Sequence, residues 1–312
     1  VTETVSAPAF LPGSEYLSLP RDPQPWVIKD LIPVGGLTNL YGKPKSGKSF
    51  AALGMAMAVA NGEQEWLGFD VRKHGPVAYL QIDTPRSHWS ERLIDIQSAG
   101  HNINGIQFCD MLMSPYPYNV LDASHQGWLK SQLARLQPVL VFIDTLREAH
   151  NGDENDSTVM RNVVTGLVDA CRPAAVVLVS HSRKDSMFSA MGGDDLMSDA
   201  RGSSYVSGRM DCIIRLTPKS LTYKGRSAGN GTLTVEQEPE TGLVIMDQEA
   251  AAYFSTLHRR VAELRLEDPK MSINAMAKTI AENDTKYKKV RAMSDDISSF
   301  LRAQAPTARR KG

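Results

Sequence analysis

The sequence predicts an α/β protein: a mostly parallel sheet flanked by helices, closed by late antiparallel β-ribbons and followed by a small C-terminal helical region. Three observations carry that reading. From about residue 25 to 247, short β-branched runs alternate with segments of helical period, the pattern of βαβ units whose sheet is covered on both faces. Late in that span the helical segments drop out, and strand-like runs follow one another, split by Gly, Pro and Asn. Beyond about residue 248 helical periodicity takes over.

Taken in order, residues 1–24 carry several prolines and no periodicity, and are expected to form an extended arm, free or draped over a neighbour. The strand candidates of the core are LTNLY (37–41), VAYLQI (77–82), GIQFC (105–109), VLVFI (139–143) and AVVLVS (175–180). Helical segments fall between them, around 48–60, 86–99, 122–136 and 157–171. DCIIRLTP, SLTYKGR, GTLTVEQE and GLVIM then read as ribbons. The expected domains are thus the arm (1–24), the core (25–247) and the helical region (248–312), the last interrupted at EDPKMS and ending in the basic ARRKG.

Bulk properties exclude several classes. At 312 residues the chain can bury a large core, and 42% hydrophobic with 22% charged residues is ordinary for a globular protein. Lys and Arg balance Asp and Glu at 35 each, so no global basic field announces nucleic acid, although a local stripe or ring would suffice. Cys109, Cys171 and Cys212 lie far apart in apolar contexts with no zinc spacing, and are expected to be core thiols in a reducing compartment. No stretch reaches about 18 apolar residues and no charged start precedes an apolar h-region, so we expect no membrane partner and a cytoplasmic location.

The chemistry begins at GKPKSGKS (42–49), a match to GxxxxGK[ST] that follows a strand and opens a helix. A chance match in a Gly-rich turn lacks that context. Glycines let successive backbone N–H groups curl inward onto phosphate oxygens, and the helix N-terminus adds its positive end. The contact set is Gly42, Lys43, Pro44, Lys45, Ser46, Gly47, Lys48, Ser49 and Phe50, with ATP as ligand. Lys48 would neutralise the β- and γ-phosphates, and the Ser49 hydroxyl would ligate Mg²⁺. The partner on the metal side is expected at the end of an apolar strand, and VLVFIDTLRE supplies Asp144 there. The bland alternative makes Asp144 a helix cap for TLREAH.

Five segments in order resemble the RecA-like P-loop ATPases of the hexameric helicase group, in particular plasmid RepA-type replicative helicases and their phage relatives. They are LIPVGGLTNLYGKPKSGKS, VAYLQIDTPRSHWSERL, VLVFIDTLREAHNGDENDS, VVLVSHSRK and ARGSSYVSGRMDCIIRL, and the likeness covers roughly 26–245. The resemblance implies a RecA-like sheet and a homo-oligomeric ring, a hexamer, acting on single-stranded DNA. It gives Asp83 the place of the carboxylate that polarises the attacking water. The family usually has Glu there, and Asp is one methylene shorter, so slow turnover is expected; a cap on the helix after Pro85 is the alternative. His181 matches the polar sensor beside the γ-phosphate. The long loop from Ser182 to Arg201 corresponds to a channel loop, with Arg183 and Lys184 as nucleic-acid contacts, although GGDDLMSD adds acidic charge.

In ring-forming relatives a Lys-x-Arg pair on a late ribbon reaches the neighbour's nucleotide. Lys224 and Arg226 have that spacing, and alternate strand residues share a face. Arg209 is a second finger candidate; unpartnered surface charge is the alternative for all three. In the tail, 271–302 reads as two amphipathic helices. They form either a helix-turn-helix presenting Lys286, Lys288, Lys289 and Arg291 to DNA, or a packing lid.

The leading functional expectation is therefore an ATPase working as a replicative-type DNA helicase. Two others stay open. One is a recombinase or loader that binds DNA without unwinding it. The other is a ParA/MinD-like dimeric switch, for which Lys43 stands where the deviant motif has its signature lysine, although SHSRK and ARGSSYVSGRMD have no place in that pattern.

Overall fold

Fully buried runs of Leu, Val, Ile and Phe make the centre of the fold, and their order along the chain sets its topology. The computed structural model describes residues 10–18, 25–114, 118–182, 204–226, 229–281 and Ile297. In chain order its elements are α1 (Gly13–Ser18), β1 (Trp26–Ile28), β2 (Ile32–Pro33), β3 (Leu37–Gly42), α2 (Lys48–Asn61), β4 (Glu65–Trp66), β5 (Phe69–Asp70), β6 (Val77–Gln81), α3 (Arg86–Ser98) and β7 (Ile106–Asp110). There follow α4 (Ala123–Leu136), β8 (Leu140–Asp144), α5 (Ser157–Cys171), β9 (Ala175–His181), α6 (Ser204–Arg209), β10 (Cys212–Thr217), β11 (Ser220–Gly225), β12 (Asn230–Gln237), β13 (Val244–Met246), α7 (Gln248–Glu267) and α8 (Ile273–Ala281).

Among the described residues nine strands form one sheet, ordered β13-β12-β11-β10-β3-β9-β8-β6-β7. From β10 to β7 every neighbouring pair is parallel. From β10 to β13 every pair is antiparallel. The expected mixture of a parallel core and late antiparallel ribbons is what forms. Strands β3, β6 and β8 are buried at every residue, as strands covered on both faces must be.

Helix α2 lies in one apolar layer with Trp89 and Ile96 of α3, and α4 and α5 supply the other. Helix α2 is rich in Ala and Met and buries nine of its fourteen residues. The C-terminal helices make a separate small cluster, in which Leu257, Val261 and Leu264 of α7 meet Met276, Ala277 and Ile280 of α8.

The structure corrects two expectations. Within the supposedly extended arm, Gly13–Ser18 form a short exposed helix, with Glu15 in its first turn and the Ser18 hydroxyl donating to the Glu15 carbonyl. Local hydrogen bonding of that kind leaves no periodic trace in six residues. Cys171 and Cys212 are buried, and burial pushes both thiols up to about 12. Cys109 is only partly buried, because β7 is the edge strand of the sheet. Lys286, Lys288, Lys289 and Arg291, and with them the second helix expected in the tail, lie outside the described residues except for Ile297.

Candidate nucleotide site

The parallel strands all end on one rim. Register places Gly42 of β3 beside His181 of β9, and Gln81 of β6 beside both Asp144 of β8 and Asp110 of β7. The phosphate loop leaves β3 at Gly42 and returns as α2 at Lys48. Gly47 holds φ at +89°, a left-handed conformation that side-chain-bearing residues adopt at a cost. Gly42 is required for a different reason: a Cβ there would lie 2.3 Å from the Leu216 carbonyl oxygen of β10. The loop thus rests on the first strand of the ribbon region.

Lys48 is 6% exposed, and its ammonium donates to the Gly42 carbonyl at 3.2 Å and the Lys43 carbonyl at 2.9 Å. Burial pulls this ammonium below its usual range, opposed by the carboxylates of Asp144 and Asp83. Those two carboxylates therefore face the same lysine. The Gly42 carbonyl also accepts from the Ser182 N–H at 3.1 Å, which ties the end of β9 to the root of the loop.

Asp144 is 2% exposed. Burial pushes its carboxyl up, opposed by hydroxyl donation from Tyr79 and by the hydroxyl of Ser49. Tyr79 donates to Asp144 Oδ2 at 2.7 Å. Ser49 is near enough to favour the ionised form, yet Oδ1 is buried with no hydrogen bond of ordinary geometry. A buried carboxylate oxygen with no well-formed hydrogen bond, on a side chain beside the loop serine, suits a hydrated divalent cation. Among the described residues no group of three or more His, Cys, Asp or Glu could hold a metal ion, so Mg²⁺ here would take most of its ligands from phosphate and water.

The helix-cap alternatives do not describe either carboxylate. The short helical turn after β8 is capped at Leu146 without a side-chain bond, and α3 is capped at Pro85, also without one. Asp83 is exposed and accepts from the Thr84 hydroxyl at 3.0 Å. Its turn is clamped from below by Gln81, whose Oε1 accepts from the Thr84 N–H at 2.8 Å while its Nε2 donates to the Thr84 carbonyl. His181 is half-buried beside Gly42.

The finger candidates lie on the ribbon side of β3, below the carboxyl rim. Lys224 pairs with Ile213, which pairs with Asn39, three residues before the phosphate loop begins. Strand β11 ends at Gly225, and its ladder with β10 reaches one residue further, where the Arg226 N–H donates to the Asp211 carbonyl at 2.9 Å. The Arg226 guanidinium donates to the Gly208 carbonyl at the end of α6, beside Arg209, satisfying one of the helix's terminal acceptors. Lys224, Arg226 and Arg209 are all exposed. Arg183 and Lys184 lie outside the described residues.

Sequence reasoning missed Tyr79, Gln81 and Gln237. Gln237 Nε2 would stand 2.7 Å from a Cβ on Gly47, and it donates to the Gly242 carbonyl at 3.0 Å. Tyr79 alone carried a signal, since a hydroxyl inside a buried strand needs a partner.

Fold and site together define a P-loop ATPase of RecA-like architecture. The chain belongs to the AAA domain family, whose profile matches residues 3–187. No curated protein matches the sequence. Among solved structures, one ATPase domain superposes with a TM-score of 0.50 at 16% identity, covering 68% of this chain and 85% of that one. A DnaB-like replicative helicase, described with its interactions with primase, gives a TM-score of 0.50 at 16% identity over 68% of this chain. This chain spans 57% of that helicase's length. The RadB recombinase gives a TM-score of 0.47 at 18% identity, over 69% of this chain and 92% of that one. These likenesses are of fold.

Proposed function

We propose that the protein is an ATP-hydrolysing motor that assembles as a ring, a hexamer, and acts on single-stranded DNA as a replicative-type helicase. The observation that carries this reading is the separation of the exposed finger candidates from the phosphate loop within one sheet. Lys48, Ser49 and Asp144 gather at the carboxyl rim, whereas Lys224 stands level with the middle of β3, two strands away, and Arg226 and Arg209 lie near the start of β10. On this reading a cation on that exposed ribbon serves a neighbour's phosphate loop rather than its own, and each site is completed across an interface. The likeness in fold to a DnaB-like replicative helicase supports the same choice.

In this mechanism the Lys48 ammonium exchanges two loop carbonyls for the β- and γ-phosphates. Ser49 and Asp144 would hold Mg²⁺, which would supply positive charge to the phosphate oxygens. Asp83, held by the Gln81 clamp, orients the attacking water, and its short side chain makes turnover slow. His181, beside Gly42, reports whether the γ-phosphate is present. A neighbour's Lys224, Arg226 or Arg209 meets the transferring phosphoryl group from outside, where charge spreads in the transition state. Arg183 and Lys184 contact the DNA strand.

The test is the ATPase rate with and without single-stranded DNA, with particle size measured on the same sample by light scattering. Stimulation by DNA in a ring-sized assembly is expected. An ATP-dependent dimer indifferent to DNA would overturn the motor in favour of a nucleotide switch.

A further inference from the structure

Asp144 presents two oxygens to very different surroundings. Oδ2 takes the Tyr79 hydroxyl at 2.7 Å, whereas Oδ1 is buried with no such bond, on a side chain that also feels the Ser49 hydroxyl. Tyr79 sits on β6, the strand paired with β8, and is fully buried. Its ring cannot swing away. Phe142 stacks on it at 5.3 Å, Trp89 lies at 5.3 Å and Phe108 at 5.8 Å, from β8, α3 and β7 respectively.

We propose that Tyr79 is a positioning residue for magnesium: its hydroxyl, fixed by three packed aromatic rings, pins Asp144 Oδ2 so that Oδ1 is held toward the Ser49 side for the metal's hydration shell. The inference rests on the nucleotide-site reading above and deepens it. A carboxylate can rotate about its last torsion, because that torsion has a broad minimum. A single donor on one oxygen removes that freedom, and a charge-assisted bond of this kind is among the stronger ones. Were the Tyr79 hydroxyl merely satisfying itself, any buried acceptor would do and the metal would not register its loss.

The expected consequence is specific. Tyr79→Phe keeps the ring packing and removes only the oxygen. Binding of a fluorescent ADP analogue to the full chain is titrated with Mg²⁺, for the wild type, Tyr79→Phe and Asp144→Asn. In Tyr79→Phe the half-saturating Mg²⁺ concentration rises about ten-fold, while affinity in EDTA stays within roughly two-fold of wild type. A half-saturating concentration unchanged from wild type overturns the proposal. If the wild type itself shows no magnesium-dependent binding, or Asp144→Asn matches it, the nucleotide-site reading fails instead, which separates the two failures.

A second measurement needs no folded variant. In wild type carrying ¹³C-labelled tyrosine rings, adding Mg²⁺ to the ADP complex shifts the resonance of a buried tyrosine through its bond to Asp144. If no buried tyrosine resonance moves, the proposal is overturned.

Discussion

At Asp144 the proposed function sets two requirements in conflict, because a side chain that would be ionised to face magnesium is also one that folding removes from water. Burial raises its carboxyl above the ordinary 3.8, and Tyr79, Ser49 and Lys48 only partly offset that. An acid whose folded value is raised costs nothing while both states are protonated. It penalises the fold increasingly as pH rises through the folded value, and the full penalty persists at neutral pH. Asp144→Asn is therefore expected to be more stable than wild type at pH 7.5 without nucleotide, with the advantage vanishing in acid below the ordinary carboxylate value. Urea denaturation across pH checks this. The same variant should lose about 100-fold or more in magnesium-dependent hydrolysis, the usual opposition of stability and activity at a site. Lys48, Ser49 and Asp144 were legible because each sits in a short local pattern. The Tyr79–Asp144 bond joins positions 65 residues apart, and no local pattern encodes it.

Among the elements, the phosphate loop depends on a strand it never touches in sequence. A Cβ at Gly42 would lie 2.3 Å from the Leu216 carbonyl of β10, which cannot move without disturbing its ladder with β3 and β11. Gly42→Ala should cost roughly 1–3 kcal/mol and abolish nucleotide binding, as read by thermal melting and analogue titration. Helix α5 depends on a cap instead: Asp156 accepts from the Thr158 and Val159 N–H groups at 2.7 and 3.2 Å. Asp156→Ala should cost about 1 kcal/mol in urea denaturation. The five core strands and four helices expected between 37 and 180 formed close to their anticipated bounds, because runs of five to fifteen residues carry a clear period. The ribbons β1–β2 and β4–β5 were not anticipated, since strands of two or three residues have no period to read.

For the whole molecule, the proposed reach of Lys224 into a neighbour's site would make one subunit's defect repairable by another. Lys48→Ala and Lys224→Ala are each expected to be inactive alone. Mixed, they should recover ATPase activity at interfaces where an intact loop meets an intact finger. Failure to complement at any ratio contradicts the finger assignment. With total charge balanced, 35 basic against 35 acidic residues, the proposed DNA binding would rest on a local cluster, and measured affinity should then fall steeply with added salt.

All of this depends on triphosphate and magnesium lying between Lys48, Ser49 and Asp144. The most direct measurement is equilibrium binding of a slowly hydrolysed ATP analogue with Mg²⁺ to wild type, Lys48→Ala and Asp144→Asn. The account predicts binding to wild type, a loss of about 100-fold in Lys48→Ala, and in Asp144→Asn the disappearance of the magnesium-dependent part alone. Equal binding by all three proteins would contradict it.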